Sequence, residues 1–172
     1  LDTDRVHTVL LGPPPEPVSR ADQNAGKNSD QNDERRRDTW PPELSRPNSG
    51  GPFIPSLGTV ERRKNVPHTV RSFARVANEH PTVKLVIAGA PGNDQEAVDH
   101  AIDELPDAVQ LRVVRLGPVD NQLKSRLLSN ASALAYPSLD EGFGFPLLEA
   151  QQAGLPVVAS TAGSIPEVAG SA

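Results

Sequence analysis

The chain has 172 residues, of which 36% are hydrophobic, so it can build one domain with a core of ordinary size. Its formal net charge of −5 disfavours a general nucleic-acid or membrane-surface binder, and the absence of cysteine excludes disulfides and thiolate metal sites. No apolar run approaches the length of a transmembrane helix, and no secretory signal leads the chain.

The first third of the chain divides into a strand and a polar stretch. Residues 6–11 predict a short strand, and the prolines that follow end it because proline cannot continue a strand. Residues 16–51 offer almost nothing to bury, which predicts a disordered or loosely attached insert. Trp40 lies in this insert, and one aromatic side chain does not establish that the insert docks. We therefore assign residues 1–15 to a first strand and 52–172 to a folded domain.

Strands and helices alternate from residue 52 onward. Apolar residues recur at helical spacing in the first helix, at Val70, Phe73 and Ala77. Apolar strands separated by helices indicate an α/β fold with a parallel, doubly wound sheet, in which ligands bind beyond the carboxyl ends of the strands. The predicted strands are residues 53–57, 84–89, 110–116, 133–136 and 155–160, and the predicted helices are residues 66–79, 93–105 (capped by Asn93), 121–130 and a helix that begins at Pro146.

Two carboxylates, Glu141 and Glu149, flank the glycine-rich turn that opens that last helix. Gly142 and Gly144 let the backbone come close to a ligand, and the free N–H groups at the start of a helix favour a phosphate. Glu149 lies about one turn into the helix, where it can accept hydrogen bonds from ribose hydroxyls. The alternatives are a solvated loop carboxylate for Glu141 and stabilisation of the helix dipole for Glu149.

A basic loop leaves the first strand of the domain toward the same edge. Arg63 and Lys64 precede a helix, where positive charge opposes the helix dipole, so an anionic ligand explains them better than solvation does. The four histidines are dispersed and show no metal-ligand spacing, so we predict no metal site.

Three segments resemble, in the same order, motifs of family 4 of the retaining glycosyltransferases, which use nucleotide sugars and have the GT-B fold. They are residues 58–65 (Gly-Thr-Val-Glu-Arg-Arg-Lys-Asn), residues 116–119 (Leu-Gly-Pro-Val), and the pair Glu141 and Glu149 with Gly-Phe-Gly-Phe-Pro between them. The resemblance covers residues 1–12 and 52–172. It implies a truncated chain, the Rossmann-like, C-terminal donor-binding half of a two-domain enzyme.

This resemblance implies a retaining, metal-independent hexosyltransferase, similar to mannosyltransferases, with a GDP- or UDP-linked sugar as donor and no cofactor. The acceptor, a glycan, lipid or other hydroxyl compound, would bind a missing N-terminal domain, so the isolated chain is expected to be inactive. The expected location is cytoplasmic, and membrane association through the missing half stays open. The implied catalytic residues are Glu141 at the donor sugar, Arg63 and Lys64; the implied donor-binding residues are Gly58, Thr59, Gly117, Val119, Gly142, Phe143, Gly144, Phe145 and Glu149.

Two other functions compete with glycosyl transfer. A catalytically silent nucleotide-sugar-binding module or inactive fragment stays open, although intact Glu141, Lys64 and Glu149 argue against decay. An oxidoreductase with a plain Rossmann fold is disfavoured because no Gly-x-Gly-x-x-Gly follows the first strand. Because the expected partner of Glu141 is the sugar, the sequence predicts that Glu141→Ala leaves the affinity for free nucleoside diphosphate almost unchanged.

Overall fold

The computed structural model describes residues 6–9, 40–44 and 51–170. A 3₁₀ turn at Arg62–Lys64 lies between β2 and α1. The strands are β1 (Val6–Val9), β2 (Phe53–Leu57), β3 (Lys84–Ala88), β4 (Val113–Gly117), β5 (Leu134–Tyr136) and β6 (Val157–Ser160), and the helices are α1 (Val66–Glu79), α2 (Gln95–Asp103), α3 (Asp107–Gln110), α4 (Asn121–Asn130), α5 (Phe145–Gln152) and α6 (Ile165–Ala169).

The strand order reverses beside β2. Strands β2, β3 and β4 pair in parallel, and β5 pairs in parallel with β6. The two groups meet where the Ser132 amide donates to the Phe53 carbonyl at 2.9 Å. The predicted α/β fold with parallel sheets is therefore confirmed, and β1 adds an antiparallel edge strand beside β6. Ligands of doubly wound folds bind at such a reversal, which here lies between β2 and β5.

Helices cover both faces of the sheet, as the side chains of β3 show. Leu85 and Ile87 belong to a core cluster with α1 and α2, whereas Val86 and Ala88 belong to a second cluster with α4 and α5. Successive residues of a strand point to opposite faces, so β3 is buried on both sides. This arrangement explains why its sequence is continuously apolar.

Prolines shift several predicted boundaries. The predicted helix 93–105 becomes two helices, because Pro106 disfavours helical geometry at the residue before it and α3 starts afresh after it. The N-cap of α2 is Asp94, and the Asn93 side chain instead accepts a hydrogen bond from the Arg62 amide at 3.0 Å. Since α3 occupies part of the predicted strand 110–116, β4 starts only at Val113. The short helix α6 was not predicted.

Residues 40–44 are packed against the domain. The ring of Trp40 meets Phe53 edge-on with centroids 6.1 Å apart, and the Arg126 guanidinium lies 5.4 Å from the Trp40 centroid. Leu44 is 3% exposed within the core cluster of α4 and α5. The prediction of a loosely attached insert is therefore wrong for residues 40–44. For residues 16–39 and 45–50, which lie outside the described residues, it stays a prediction.

We expect Leu44→Ala to lower the free energy of unfolding by about 2–4 kcal/mol, because it removes a buried side chain and leaves a cavity. The adjacent Glu43 is exposed, so Glu43→Ala serves as the control and should change stability by less than about 0.5 kcal/mol. Urea unfolding of both variants measures the difference. Equal stabilities for the two variants would show that residues 40–44 do not dock in solution.

Along the described ranges, no helix has both the length and the apolar composition needed to cross a bilayer.

Candidate functional site

The basic and acidic loops meet at the carboxyl ends of β2 and β5. The Leu139 amide donates to the Arg63 carbonyl at 2.6 Å, and the Asn65 side-chain amide donates to the Pro137 carbonyl at 3.2 Å. Asn65 has a φ of +54°, a left-handed conformation that asparagine tolerates better than most residues. These bonds hold the two loops as one unit at the reversal of strand order.

Glu141 lies at the centre of a buried polar network. Its residue is 7% exposed, and its carboxylate accepts hydrogen bonds from the Lys64 ammonium, from Arg63 Nη1 at 3.1 Å and from Ser138 Oγ at 2.8 Å. The Lys64 ammonium also donates to Tyr136 Oη at 3.3 Å and lies 5.0 Å from the Tyr136 ring centroid. Glu141 is therefore not a solvated loop carboxylate.

The network keeps Glu141 ionised. Burial alone would raise the pKa of the Glu141 carboxyl, but the hydrogen bonds from Lys64 and Ser138 and the Lys64 charge outweigh it and lower that pKa. Burial, together with the adjacent Glu141 charge, raises the pKa of Tyr136 and keeps its phenol neutral. The site thus holds a carboxylate and two cations beside a neutral hydroxyl group.

Because the folded-state pKa of Glu141 is lower than in the unfolded chain, its charge stabilises the fold fully above its ordinary pKa of 4.5. That contribution is lost as the pH falls through the folded-state value. We therefore expect the free energy of unfolding to drop between about pH 5 and pH 3 more steeply in the wild-type chain than in Glu141→Gln. Urea unfolding across this range measures the slopes, and parallel slopes would contradict the assignment.

The loop after β6 donates hydrogen bonds to the backbone of Glu141. Ser164 donates from both its amide and its Oγ to the Glu141 carbonyl, each at 3.0 Å. A Cβ on Gly163 would lie 2.5 Å from that carbonyl oxygen, and its φ of +57° also favours glycine. The loop after β6 consequently fixes the backbone at Glu141.

Glu149 lies on α5 and faces α4. Lys124 donates to Glu149 Oε1 at 2.6 Å, whereas Glu149 Oε2 is buried and has no hydrogen-bond partner among the described residues. The two carboxylates of the motif therefore have different basic partners. A buried oxygen without a donor is costly, and a ligand hydroxyl would satisfy it once the side chain turned this oxygen toward the cleft. Glu149 borders a polar cleft of about 390 Å³ that is also lined by Asn121, Lys124, Ser125, Leu128, Ser129, Gln152 and Ala153.

The start of α5 is exposed around its two phenylalanines. Gly144 caps the helix with a φ of +85°, and Pro146 lies in the first turn as predicted. Phe143 and Phe145 are 51% and 66% exposed, with ring centroids 4.8 Å apart. Neither ring is buried beneath the loop. A Cβ on Gly142 would meet no atom within 4 Å, so internal packing does not explain that glycine.

The remaining predicted residues follow β2 and β4. Gly58 has a φ of +119° and lies against the side chain of Lys64. The Gly89 amide donates to the Gly117 carbonyl at 2.8 Å, which brings the ends of β3 and β4 together. Val119 is partly buried against the core. Contacts of Gly58, Thr59, Gly117 and Val119 with a ligand stay predictions.

A separate groove lies on the α1 face of the sheet and differs in chemistry. Its lining is almost entirely apolar and includes no charged carboxylate, Lys or Arg. Such a groove does not suit a phosphate. Within the described ranges, no three His, Cys, Asp or Glu side chains cluster as metal ligands would. The groove is lined by Ile54, His68, Thr69, Ser72, Phe73, Val76, Leu85, Ala133, Leu134, Ala135, Pro137 and Val158.

Comparison with known families decides how this edge should be interpreted. The profile of the family described as "Glycosyl transferases group 1" matches residues 39–172. The chain belongs to this family. Its match begins at residue 39 and therefore takes in the packed residues 40–44, which the resemblance based on motifs had left out.

Relatives within the glycosyl transferases group 1 include two enzymes with curated names. The chain is 32% identical over 117 residues to O-antigen chain mannosyltransferase B of Escherichia coli, covering 67% of the chain and 30% of the relative. It is 35% identical over 129 residues to the glycogen synthase of Mycobacterium tuberculosis, covering 74% of the chain and 30% of the relative. The chain thus spans about a third of the length of these relatives.

A solved structure agrees with the fold. The C-terminal domain of a glycosyl transferase group 1 family protein from Francisella tularensis superposes with a TM-score of 0.62 at 21% identity, covering 69% of the chain and 62% of that domain. This likeness supports the Rossmann-like assignment of the group 1 chain.

Several site residues were missed in the sequence. Tyr136, Ser138 and Ser164 contact the Glu141 network, and Lys124 pairs with Glu149. Ser138 stands three residues before Glu141, a spacing that could have marked it. Ser164 stands three residues before Glu167, a spacing that indicates a helix cap and not the contact with Glu141. Lys124 carries no local signal, because folding alone brings it to Glu149.

Proposed function

We propose that this chain is the donor-binding part of a retaining, family 4 glycosyltransferase that transfers a hexose from a GDP- or UDP-linked sugar without a metal or other cofactor. The observation that carries the proposal is the buried Glu141 carboxylate paired with Lys64 and Arg63 at the reversal of strand order. Family membership and the names of the relatives support a sugar transferase.

The diphosphate would lie between the basic loop and the first turn of α5. Lys64 and Arg63 would stabilise the negative charge that grows on the leaving diphosphate, an interaction stronger in the transition state than in the ground state. The N–H groups at the start of α5 would add to it. These groups supply positive charge from the protein itself, which supports the proposal of metal independence.

The nucleoside would extend toward α4. Glu149 Oε2 would accept a ribose hydroxyl, while Lys124 holds the other carboxylate oxygen in place. The loop at Gly117 and Val119 would lie beside the base. Glu141 would face the transferred sugar. The acceptor, a glycan, lipid or other hydroxyl compound, would bind in a part of the enzyme beyond the region shared with the relatives. The enzyme would act in the cytoplasm.

We expect Glu149→Ala to weaken the binding of a nucleoside diphosphate by about 1–3 kcal/mol, because a charged hydrogen bond to ribose is lost. Gln152→Ala alters the same cleft without removing charge and is the matched control. Calorimetric titration with GDP and UDP measures both. Equal affinities for the two variants would contradict the ribose role.

The proposed activity is tested by supplying NDP-sugars to the complete enzyme and recording the anomeric configuration of the product by NMR. Retained configuration, and turnover that persists in EDTA, are the expected results. Inverted configuration or full loss of turnover in EDTA would overturn the corresponding part of the proposal. Binding of nucleoside diphosphate without transfer, even in the complete enzyme, would instead support a silent binding module.

A further inference from the structure

The two cations proposed to hold the diphosphate are already paired with carboxylates of the chain. The Lys64 ammonium, whose side chain is 10% exposed, pairs with Glu141. The Arg63 guanidinium pairs with Glu141 at 3.1 Å and with Glu61 at 2.7 Å. Any diphosphate that binds Lys64 and Arg63 must therefore share them with these carboxylates.

The charges of Glu61 and Glu141 are screened by solvent to different extents. The Glu61 side chain is 36% exposed, so water and salt screen its charge. The Glu141 side chain is 6% exposed, and it contacts both cations in a region of lower dielectric constant. Glu141 is thus the anion whose charge a bound diphosphate would feel most.

We propose that Glu141 competes with the diphosphate for Lys64 and Arg63, and that its charge selectively weakens the binding of the free nucleoside diphosphate. This inference rests on the proposed function. A free nucleoside diphosphate carries more negative charge than the same diphosphate esterified to a sugar, so repulsion by Glu141 penalises the product more than the donor. Glu141 would then favour product release in addition to contacting the sugar.

The sequence alone predicts a different effect of Glu141 on the affinity for nucleoside diphosphate. From the sequence, the sugar is the only expected partner of Glu141, so Glu141→Ala should not change the affinity for free nucleoside diphosphate. The ion pairs of Glu141 with Lys64 and Arg63 reverse that expectation, because removing its charge frees both cations for the ligand.

The test compares the wild-type chain with Glu141→Gln and Glu61→Gln, which remove one charge each beside the same arginine. Glutamine keeps the size of the buried side chain and can still accept from Lys64 and Ser138. Calorimetry with GDP, UDP, inorganic pyrophosphate and the uncharged nucleosides measures affinity, and thermal unfolding checks each fold. Glu141→Gln is expected to bind the nucleoside diphosphate and pyrophosphate roughly tenfold more tightly, with nucleoside affinity unchanged. Glu61→Gln should stay within about twofold of wild type.

The outcomes distinguish competition by Glu141 from the proposed function. If wild type binds a nucleoside diphosphate and folded Glu141→Gln binds it equally or more weakly, the competition is refuted and the proposed function stands. If neither folded chain binds any nucleoside diphosphate, both fail. A smaller gain for the NDP-sugar than for the nucleoside diphosphate supports selectivity, and an equal gain refutes it. Should Glu141→Gln not fold, Glu141→Ala, which also removes the charge, replaces it with the same direction expected.

Discussion

Replacing Lys64 by methionine is expected to have a large effect on both stability and activity. The buried Glu141 carboxylate would lose its closest cation, and breaking a buried ion pair on one side costs about 3–5 kcal/mol, part of which Arg63 can offset. Loss of one preorganised charge at the leaving group should slow sugar transfer by about 10²–10³-fold in the complete enzyme.

Arg63→Met is the matched control, since the Arg63 side chain is 45% exposed. It should cost less than about 1 kcal/mol of stability and slow transfer less than Lys64→Met does. Urea unfolding and single-turnover kinetics measure the two effects. Equal stability losses for both variants would show that Lys64 is not the principal partner of Glu141.

Gly89→Ala is expected to lower the free energy of unfolding by about 3 kcal/mol or more, the upper range for overpacking. The new Cβ would lie 1.9 Å from the Gly58 carbonyl oxygen and 2.4 Å from its carbon. Both atoms belong to the backbone, so no side-chain rotation relieves the overlap. The loop after β3, which carries Gly89, and the loop after β2, which carries Gly58 and the basic pair, would be pushed apart.

The control is Gly142→Ala, whose Cβ would enter open space. It should leave stability within about 0.5 kcal/mol of wild type. Because Gly142 is proposed to lie against the diphosphate, this variant should nevertheless bind the nucleotide more weakly. Chemical denaturation of both variants distinguishes the two glycines, and a stable Gly89→Ala chain would mean that the loops are not packed this closely.

The order of strands and helices was predictable because each element carries its own local pattern. The apolar run of β3 reflects its burial on both faces of the sheet, and the helical spacing of Val70, Phe73 and Ala77 reflects the burial of one face of α1. Boundaries near proline were less accurate, as the division between α2 and α3 at Pro106 shows. The antiparallel pairing of β1 depends on a partner strand far along the chain, which no local pattern reveals.

The site was predictable to the extent that its residues lie in compact motifs. Glu141 and Glu149 were found by their spacing around the glycines. Their cations were harder to assign, because Lys64 lies 77 residues from Glu141 and Lys124 lies 25 residues from Glu149. The sequence assigned Lys64 to a ligand alone, and only the fold shows that a buried carboxylate also uses it.

The docking of Trp40 was left open and that of Leu44 was missed, for a physical reason. A polar stretch lowers the expected burial of the whole segment, yet two large apolar side chains are enough to anchor five residues. Average composition over residues 16–51 could not reveal this local anchor.

The most direct test of the central claim is to map nucleotide binding residue by residue. Amide resonances of the isotope-labelled chain would be recorded by NMR while GDP or UDP is added to about 1 mM. This concentration detects a ligand whose binding free energy is about −4 kcal/mol. We expect the largest shifts at residues 58–65, at 117–124 and at 141–149. Shifts confined to the apolar groove around Phe73 and Val158, or no shifts from either nucleotide in a folded chain, would contradict a donor site at this edge.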